Sequence, residues 1–228
     1  MPAPSGHVKQ LRDSWRDNAQ AWTSSVRAHA IESRRLATDA AIVGAVLARQ
    51  PKSTLDLGCG EGWLVRALSE RGLTAVGIDG SAPLIEAASS AGGLFLNLTY
   101  DELITDPGRC GASFDLVVAN FALLEERIGP LLQALRRTMT RNAWLLIQTL
   151  HPLAAGAPYA DGWRIEDFRG FEQGAWTPMP WYFRTLGSWV TVLQENGFGV
   201  HGLAEPIHPE DGRPLSLLLE ARVAPPSG

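Results

Sequence analysis

Cysteine is nearly missing from this chain: only Cys59 and Cys110 occur in 228 residues. Two thiols cannot form a disulfide scaffold, and their separation lacks the paired spacing of a zinc site, so a reducing compartment is implied. No window approaches the ~18 consecutive apolar residues that span a membrane. The segment Met1 to Lys9 is short and polar, without the apolar stretch of a signal peptide. Basic residues form no dense run either: 20 Lys and Arg stand against 24 Asp and Glu, for a formal charge of −4. Arg34, Arg35, Arg127, Arg136, Arg137 and Arg141 are scattered, which disfavours a polyanionic partner such as DNA or RNA. Internal repeats and low-complexity tracts are also lacking. The expectation is a soluble, cytoplasmic protein, monomeric or homodimeric, whose partner is a small molecule, with no metal, membrane or nucleic acid.

What is present is a composition of 45% hydrophobic residues, enough for one sizeable core. Residues 8 to 49 carry helical periodicity, with Trp15, Ala19 and Trp22 on one stripe and a second stripe from Ile31 to Leu47, stopped by Gln50-Pro51. From Ser53 the pattern changes to short apolar strands near 53–57, 74–78, 94–98, 114–119 and 143–149. Helices are expected between them at 62–71, 82–91 and 128–139, an alternation that predicts a mostly parallel sheet covered on both faces. Residues 151 to 183 read as an irregular, aromatic-rich insertion of the kind that serves as a lid or binding loop. A helix at 185–196 and strands near 199–204 and 215–222 follow. The expected organisation is an N-terminal helical cap over 1–52 and an α/β core over 53–228 interrupted at 151–183.

The most informative run is Leu55-Asp56-Leu57-Gly58-Cys59-Gly60-Glu61-Gly62, where a strand hands over to a helix. Glycines there allow a tight turn and let a ligand approach the main chain. Such a turn serves either a dinucleotide or an adenosyl cofactor. A dinucleotide fingerprint needs a small residue five positions after its first glycine, and Trp63 stands there. Asp56 repels a pyrophosphate and suits a sulfonium with an ammonium group, which favours S-adenosylmethionine over NAD. Asp79, closing Val76-Gly77-Ile78-Asp79, can accept hydrogen bonds from both ribose hydroxyls. A helix cap and a turn residue are the purely structural roles open to the same two carboxylates.

From Thr54 to Val223 the chain resembles class I S-adenosylmethionine-dependent methyltransferases of the small-molecule type, related to ubiquinone and sterol methyltransferases. The resemblance is carried by the glycine run, by Gly77-Ile78-Asp79-Gly80-Ser81, by Phe114-Asp115-Leu116-Val117-Val118 and by Gly197-Phe198. It implies a Rossmann-like sheet of seven mostly parallel strands with the last strand antiparallel. It also places Asp56, Gly58 and Gly60 at the methionine end of the cofactor and Asp79 at the ribose, with Cys59, Trp63, Gly80 and Ser81 beside them. Three departures stand out. Thr99 occupies the place of the acid that such enzymes use for the adenine amino group, with Asp101 or the Tyr100 backbone as substitutes. Asn120-Phe121-Ala122-Leu123 lacks the Pro-Pro-aromatic signature of amino-group methylation, while Asn120 and Phe121 remain placed to line the sulfonium end. Phe183 stands where a related branch, with Tyr-His-Arg-Thr, has histidine.

Methyl transfer by in-line displacement needs positioning and desolvation above all, and a protein base is optional. His151, just past the fifth strand, is the leading candidate for a base, weighed against the plainer reading of a structural or substrate-positioning role. Tyr182 and Arg184 follow as acceptor-site candidates, although Arg184 could simply tie the insertion to the next helix. Trp15, Trp22, Trp163 and Trp181 are candidate walls for an aromatic or apolar acceptor, against the plainer reading of packing among themselves. Trp144 and Trp189 read as core, and Cys59 as bulk rather than a nucleophile. Two other readings are weighed: a methyltransferase fold that binds S-adenosylmethionine or S-adenosylhomocysteine without turnover, and, opposed by Asp56 and Trp63, an NAD-dependent oxidoreductase.

Overall fold

The computed structural model describes residues 6–111, 113–171 and 174–224. The outermost parts of the expected cap (1–5) and core (225–228), and Glu172 and Gln173 of the insertion, lie outside the described residues. Seven strands form one sheet: β1 (Thr54–Leu57), β2 (Ala75–Asp79), β3 (Leu94–Asn97), β4 (Phe114–Asn120), β5 (Met139–Thr149), β8 (Phe198–Ala204) and β9 (Leu217–Val223). Their order is β3-β2-β1-β4-β5-β9-β8, and β9 runs antiparallel to both of its neighbours. The mostly parallel sheet with an antiparallel last strand is therefore present as the resemblance implied.

Each strand of the sheet centre reads as an apolar run because both faces are covered. On one face, α6 (Tyr100–Thr105), α7 (Gly129–Thr138) and α8 (Leu186–Glu195) enclose Leu55, Leu57, Val117, Leu145 and Leu219. On the other, α3 (Asp39–Arg49) and α4 (Trp63–Ser69) cover Leu116, Val118 and Leu146. The third glycine of the run, Gly62, has φ +84°, and a Cβ there would lie 2.4 Å from Phe95 of β3 and 3.0 Å from Ala88 of α5 (Ala82–Ser90). Its role is close packing, which no side chain could share.

The N-terminal helical region is not continuous. It divides into α1 (Gly6–Asp17) and α2 (Ala19–Arg27), then reaches α3 through a π-helical turn over Arg34–Thr38. The buried Asn18 makes the break useful, since its amide reaches Thr177, donating to the carbonyl at 2.8 Å and accepting from the N–H at 2.8 Å. This ties the cap to the insertion.

The insertion itself is more ordered than its composition implies. β6 (Gly162–Glu166) and β7 (Met179–Phe183) pair antiparallel as a separate ribbon, correcting the expectation of an irregular segment. Strand periodicity explains it: Met179, Trp181 and Phe183 alternate onto one face and bury against Leu11 of α1, Leu124 and Phe168. Trp189 is core as expected. Trp144 is only half-buried, because Arg49 stacks over its ring at 3.9 Å and Arg222 at 5.2 Å in place of apolar cover. Among the described residues no helix is long and apolar enough to cross a membrane.

Gly62→Ala should lower stability by about 2 kcal/mol or more, from left-handed strain together with overpacking against Phe95. Chemical denaturation of the two proteins measures it, and equal midpoints would refute the packing role.

Candidate functional site

Strand order reverses between β2-β1 and β4-β5, and the carboxyl ends of the strands part there, as ligand sites of open α/β sheets require. A cavity of about 500 Å³ opens at that place. Its floor is the glycine turn. Gly58 has φ +71°, and a Cβ on it would fall 2.6 Å from the Ala122 Cβ and 2.9 Å from the Tyr100 hydroxyl, so only glycine fits. The Gly60 N–H donates to Asp79 Oδ2 at 2.9 Å and the Ser81 N–H to Asp79 Oδ1 at 2.8 Å. Two main-chain donors thus hold the carboxylate in one orientation, each oxygen keeping a lone pair for a ligand. Burial pushes the Asp79 carboxyl above its ordinary range, while the same two amides pull it back.

Asp56 lies behind this floor rather than on it. It is buried, its Oδ2 has no hydrogen-bond partner among the described residues, and burial followed by the charge of Asp79 pushes its carboxyl up to about 8. Ser81 Oγ is likewise buried without a partner, and Ser81 does line the cavity. The orphaned Ser81 hydroxyl beside Asp79 is what a polar ligand in the cavity would satisfy. Gly80 and Cys59 also face the cavity, and burial raises the Cys59 thiol, which keeps it inert.

Thr99 and Tyr100 line the cavity, but their hydroxyls are committed. Thr99 caps α6 in a capping box with Glu102, and Tyr100 donates to the Ala122 carbonyl at 3.1 Å. Asp101 is not on the wall, because it pairs with Arg12 of α1 at 2.5 Å. Asn120 and Phe121, at the end of β4, are on the wall.

The far half of the cavity is aromatic. Trp15 and Trp22 meet edge to face at 5.2 Å, Phe171 lies 6.3 Å from Trp22, and Trp181, Phe168 and Met179 close the side toward the ribbon. Trp63 faces the cavity with the Arg34 guanidinium 4.5 Å above its ring, and Arg34 is held by Asp39 at 2.9 Å. Six charged wall residues escaped the sequence reading: Arg12, Asp13, Arg16, Arg34, Glu125 and Glu166. Arg12 bridges Asp101 and Glu125, and burial raises the Glu125 carboxyl. Glu166 accepts the Phe168 N–H at 2.7 Å. Arg12 could have been found from its place one turn before Trp15 on the same helix face; Arg34, Glu125 and Glu166 depend on tertiary contacts.

Several expected acceptor-site residues are not brought to the cavity. His151 is buried, its Nδ1 accepting the Leu153 N–H at 3.2 Å and its Nε2 facing Glu205 at 2.7 Å, so both ring nitrogens are engaged elsewhere. Arg184 donates to the carbonyls of Glu125 and Glu126 at 2.6 and 2.5 Å, tying β7 to the loop after β4. Burial lowers its guanidinium to about 10. Tyr182 and Trp163 pack against each other at 5.5 Å, and Trp163 stacks on His7 at 4.8 Å, on the face of the ribbon turned away from the cavity. The alternation of β7 sends Trp181 inward and Tyr182 outward, which is why neighbours in sequence part company.

Among solved structures, a Burkholderia thailandensis 1,6-didemethyltoxoflavin-N1-methyltransferase, holding 1,6-didemethyltoxoflavin and S-adenosylhomocysteine, is similar at TM-score 0.68 and 19% identity. That likeness covers 99% of this chain and 92% of that one. A Mesorhizobium loti S-adenosylmethionine-dependent methyltransferase is similar at TM-score 0.59 and 23% identity, over 78% and 96% of the two chains. The CcbJ methyltransferase of Streptomyces caelestis follows at TM-score 0.63 and 15% identity, over 95% and 98%. These likenesses concern the fold. No curated protein matches the sequence significantly. The family model described as a methyltransferase domain matches residues 9–202, most of the chain, and the protein belongs to that methyltransferase family.

Proposed function

We propose that this chain transfers a methyl group from S-adenosylmethionine to a small, flat, aromatic or apolar acceptor. The observation that carries the reading is the two-sided cavity, with a polar glycine floor around Asp79 at one end and a box of tryptophan and phenylalanine at the other. The residues present fit the cofactor: Asp79 retains lone pairs for two ribose hydroxyls, the Ser81 hydroxyl is free to bind, and the glycines leave main chain open to contact. Bound S-adenosylmethionine would supply a methyl carbon already activated by a positive sulfur, so the protein need not generate a strong electrophile.

The work left to the chain is holding, orienting and drying. Asp56, buried behind the turn, adds a carboxylate whose ionised form a cationic ligand stabilises. Trp15, Trp22 and Trp181 exclude water and offer flat faces to an acceptor ring. The helices of residues 6–52 act as a cap and the ribbon of β6 and β7 as the wall of the acceptor half, joined by Asn18 and Thr177. His151 serves the wall structurally through Glu205. The heteroaromatic compound in the Burkholderia structure supports the choice of acceptor class.

Calorimetric titration with S-adenosylmethionine, S-adenosylhomocysteine and NADH tests the cofactor. The first two should bind and lose about tenfold or more in affinity with Asp79→Ala, where two hydrogen bonds to a charged group are removed; binding of NADH alone would overturn the reading. With a labelled methyl group and heteroaromatic acceptors, Trp181→Leu should raise the acceptor KM while leaving the affinity for S-adenosylhomocysteine unchanged. Asp56 yields a third expectation. Its carboxyl is raised to about 8 in the folded state against an ordinary 3.8, so the folded protein holds a proton that the unfolded chain has released between those values. Stability falls as pH rises through that window. The melting temperature of the wild type should decline between pH 5 and 8 more steeply than that of Asp56→Asn, and parallel curves would exclude the perturbed carboxyl.

A further inference from the structure

Gln148, on β5, is fully buried and spans the sheet between the cap and the cavity. Its Nε2 donates to the Thr38 carbonyl at 3.0 Å and to Asn120 Oδ1 at 2.8 Å, and its Oε1 accepts from Ser216 Oγ at 3.3 Å. The orientation of these amides follows from one unambiguous group. A backbone carbonyl only accepts, so the Gln148 amide must turn its NH2 toward Thr38. The second N–H of that NH2 then meets Asn120, which must present oxygen to it. Asn120 Nδ2 is left over. It has no hydrogen-bond partner among the described residues, on a residue that lines the cavity beside the glycine turn.

We infer that Gln148 is a positioning residue that locks the Asn120 amide as a hydrogen-bond donor into the cavity, selecting acceptors that present a lone pair to it. A carbonyl or phenolate oxygen or a pyridine-type ring nitrogen satisfies it. A ring N–H or an amino group meets a donor facing a donor, which leaves both unpaired in a dry site. The inference rests on the aromatic-acceptor reading for its substrate, but the lock itself does not.

The lock is tested without any ligand, by side-chain amide hydrogen exchange in the wild type. Signals are assigned by their loss in Gln148→Met and Asn120→Asp. Gln148 Nε2 protons should exchange slowly and Asn120 Nδ2 protons fast; the reverse order overturns the lock. Specificity is tested on protein saturated with S-adenosylhomocysteine, using quinoline, whose ring nitrogen only accepts, and indole, whose ring N–H only donates. The wild type should bind quinoline on the order of tenfold more tightly than indole. Asn120→Asp should reverse that preference and Gln148→Met should abolish it, each variant being read at saturating S-adenosylhomocysteine after its affinity for that compound has been measured. A large loss of that affinity in Asn120→Asp, with the quinoline preference intact, would place the donor on the cofactor and overturn the assignment. Equal binding of the two rings by the wild type would do the same. If S-adenosylhomocysteine binds but neither ring does, the aromatic-acceptor reading falls and the specificity with it, while the exchange order still decides the lock. Should Gln148→Met fail to fold, Asn120→Asp alone carries the specificity test.

Discussion

The polar floor of the cavity is organised around the Asp79 carboxylate at the carboxyl end of β2. It is buried, so its charge has to be met by donors supplied from the chain, and two main-chain amides, of Gly60 and Ser81, meet it. That requirement fixes the path of the glycine turn after β1 and the start of α5 after β2. With both segments pinned to one side chain, the floor of the cavity has little freedom before any ligand arrives. Asp56 sits behind this arrangement with an unpartnered oxygen, kept tolerable in the folded protein by a carboxyl that holds its proton to about 8.

The opposite wall is assembled from elements far apart in the chain. α1 brings Trp15 and Arg12, the loop after β4 brings Leu124 and Glu125, and the ribbon brings Trp181 and Met179. Three fasteners join them: Arg12 to Asp101 and Glu125, Asn18 to Thr177, and Arg184 to the carbonyls of Glu125 and Glu126. The buried cluster of Leu11, Phe168, Trp181 and Phe183 supplies the hydrophobic contribution to the same closure. Arg184 therefore holds this wall in place from outside it. Gln148 does the equivalent for the floor, linking Thr38 of the π-helical turn to Asn120 through one amide.

Legibility in the sequence followed the range of the interactions. The strands, the helices between them and the glycine turn come from contacts a few residues long and from a periodicity that burial imposes on both faces of a parallel sheet. Gly58, Gly60 and Asp79 were readable because steric exclusion and hydrogen bonding at a strand–helix turn demand those residue types at that spacing. The ribbon was not legible as strands, because prolines and glycines mask its alternation and β6 and β7 pair across a long connection.

His151, Tyr182 and Arg184 show the limit most clearly. Their positions after β5 and around β7 are near the correct end of the sheet, yet direction decides function, and one residue of register separates inward Trp181 from outward Tyr182. The sequence by itself determined the fold class, the cofactor-side turn and the family resemblance, since local sterics and hydrophobic periodicity are written into neighbouring residues. Only the tertiary structure decided which charges face the cavity and which amide end Asn120 offers, because those depend on partners such as Thr38 and Gln148 that lie far apart along the chain and meet only once the cap has closed on the sheet.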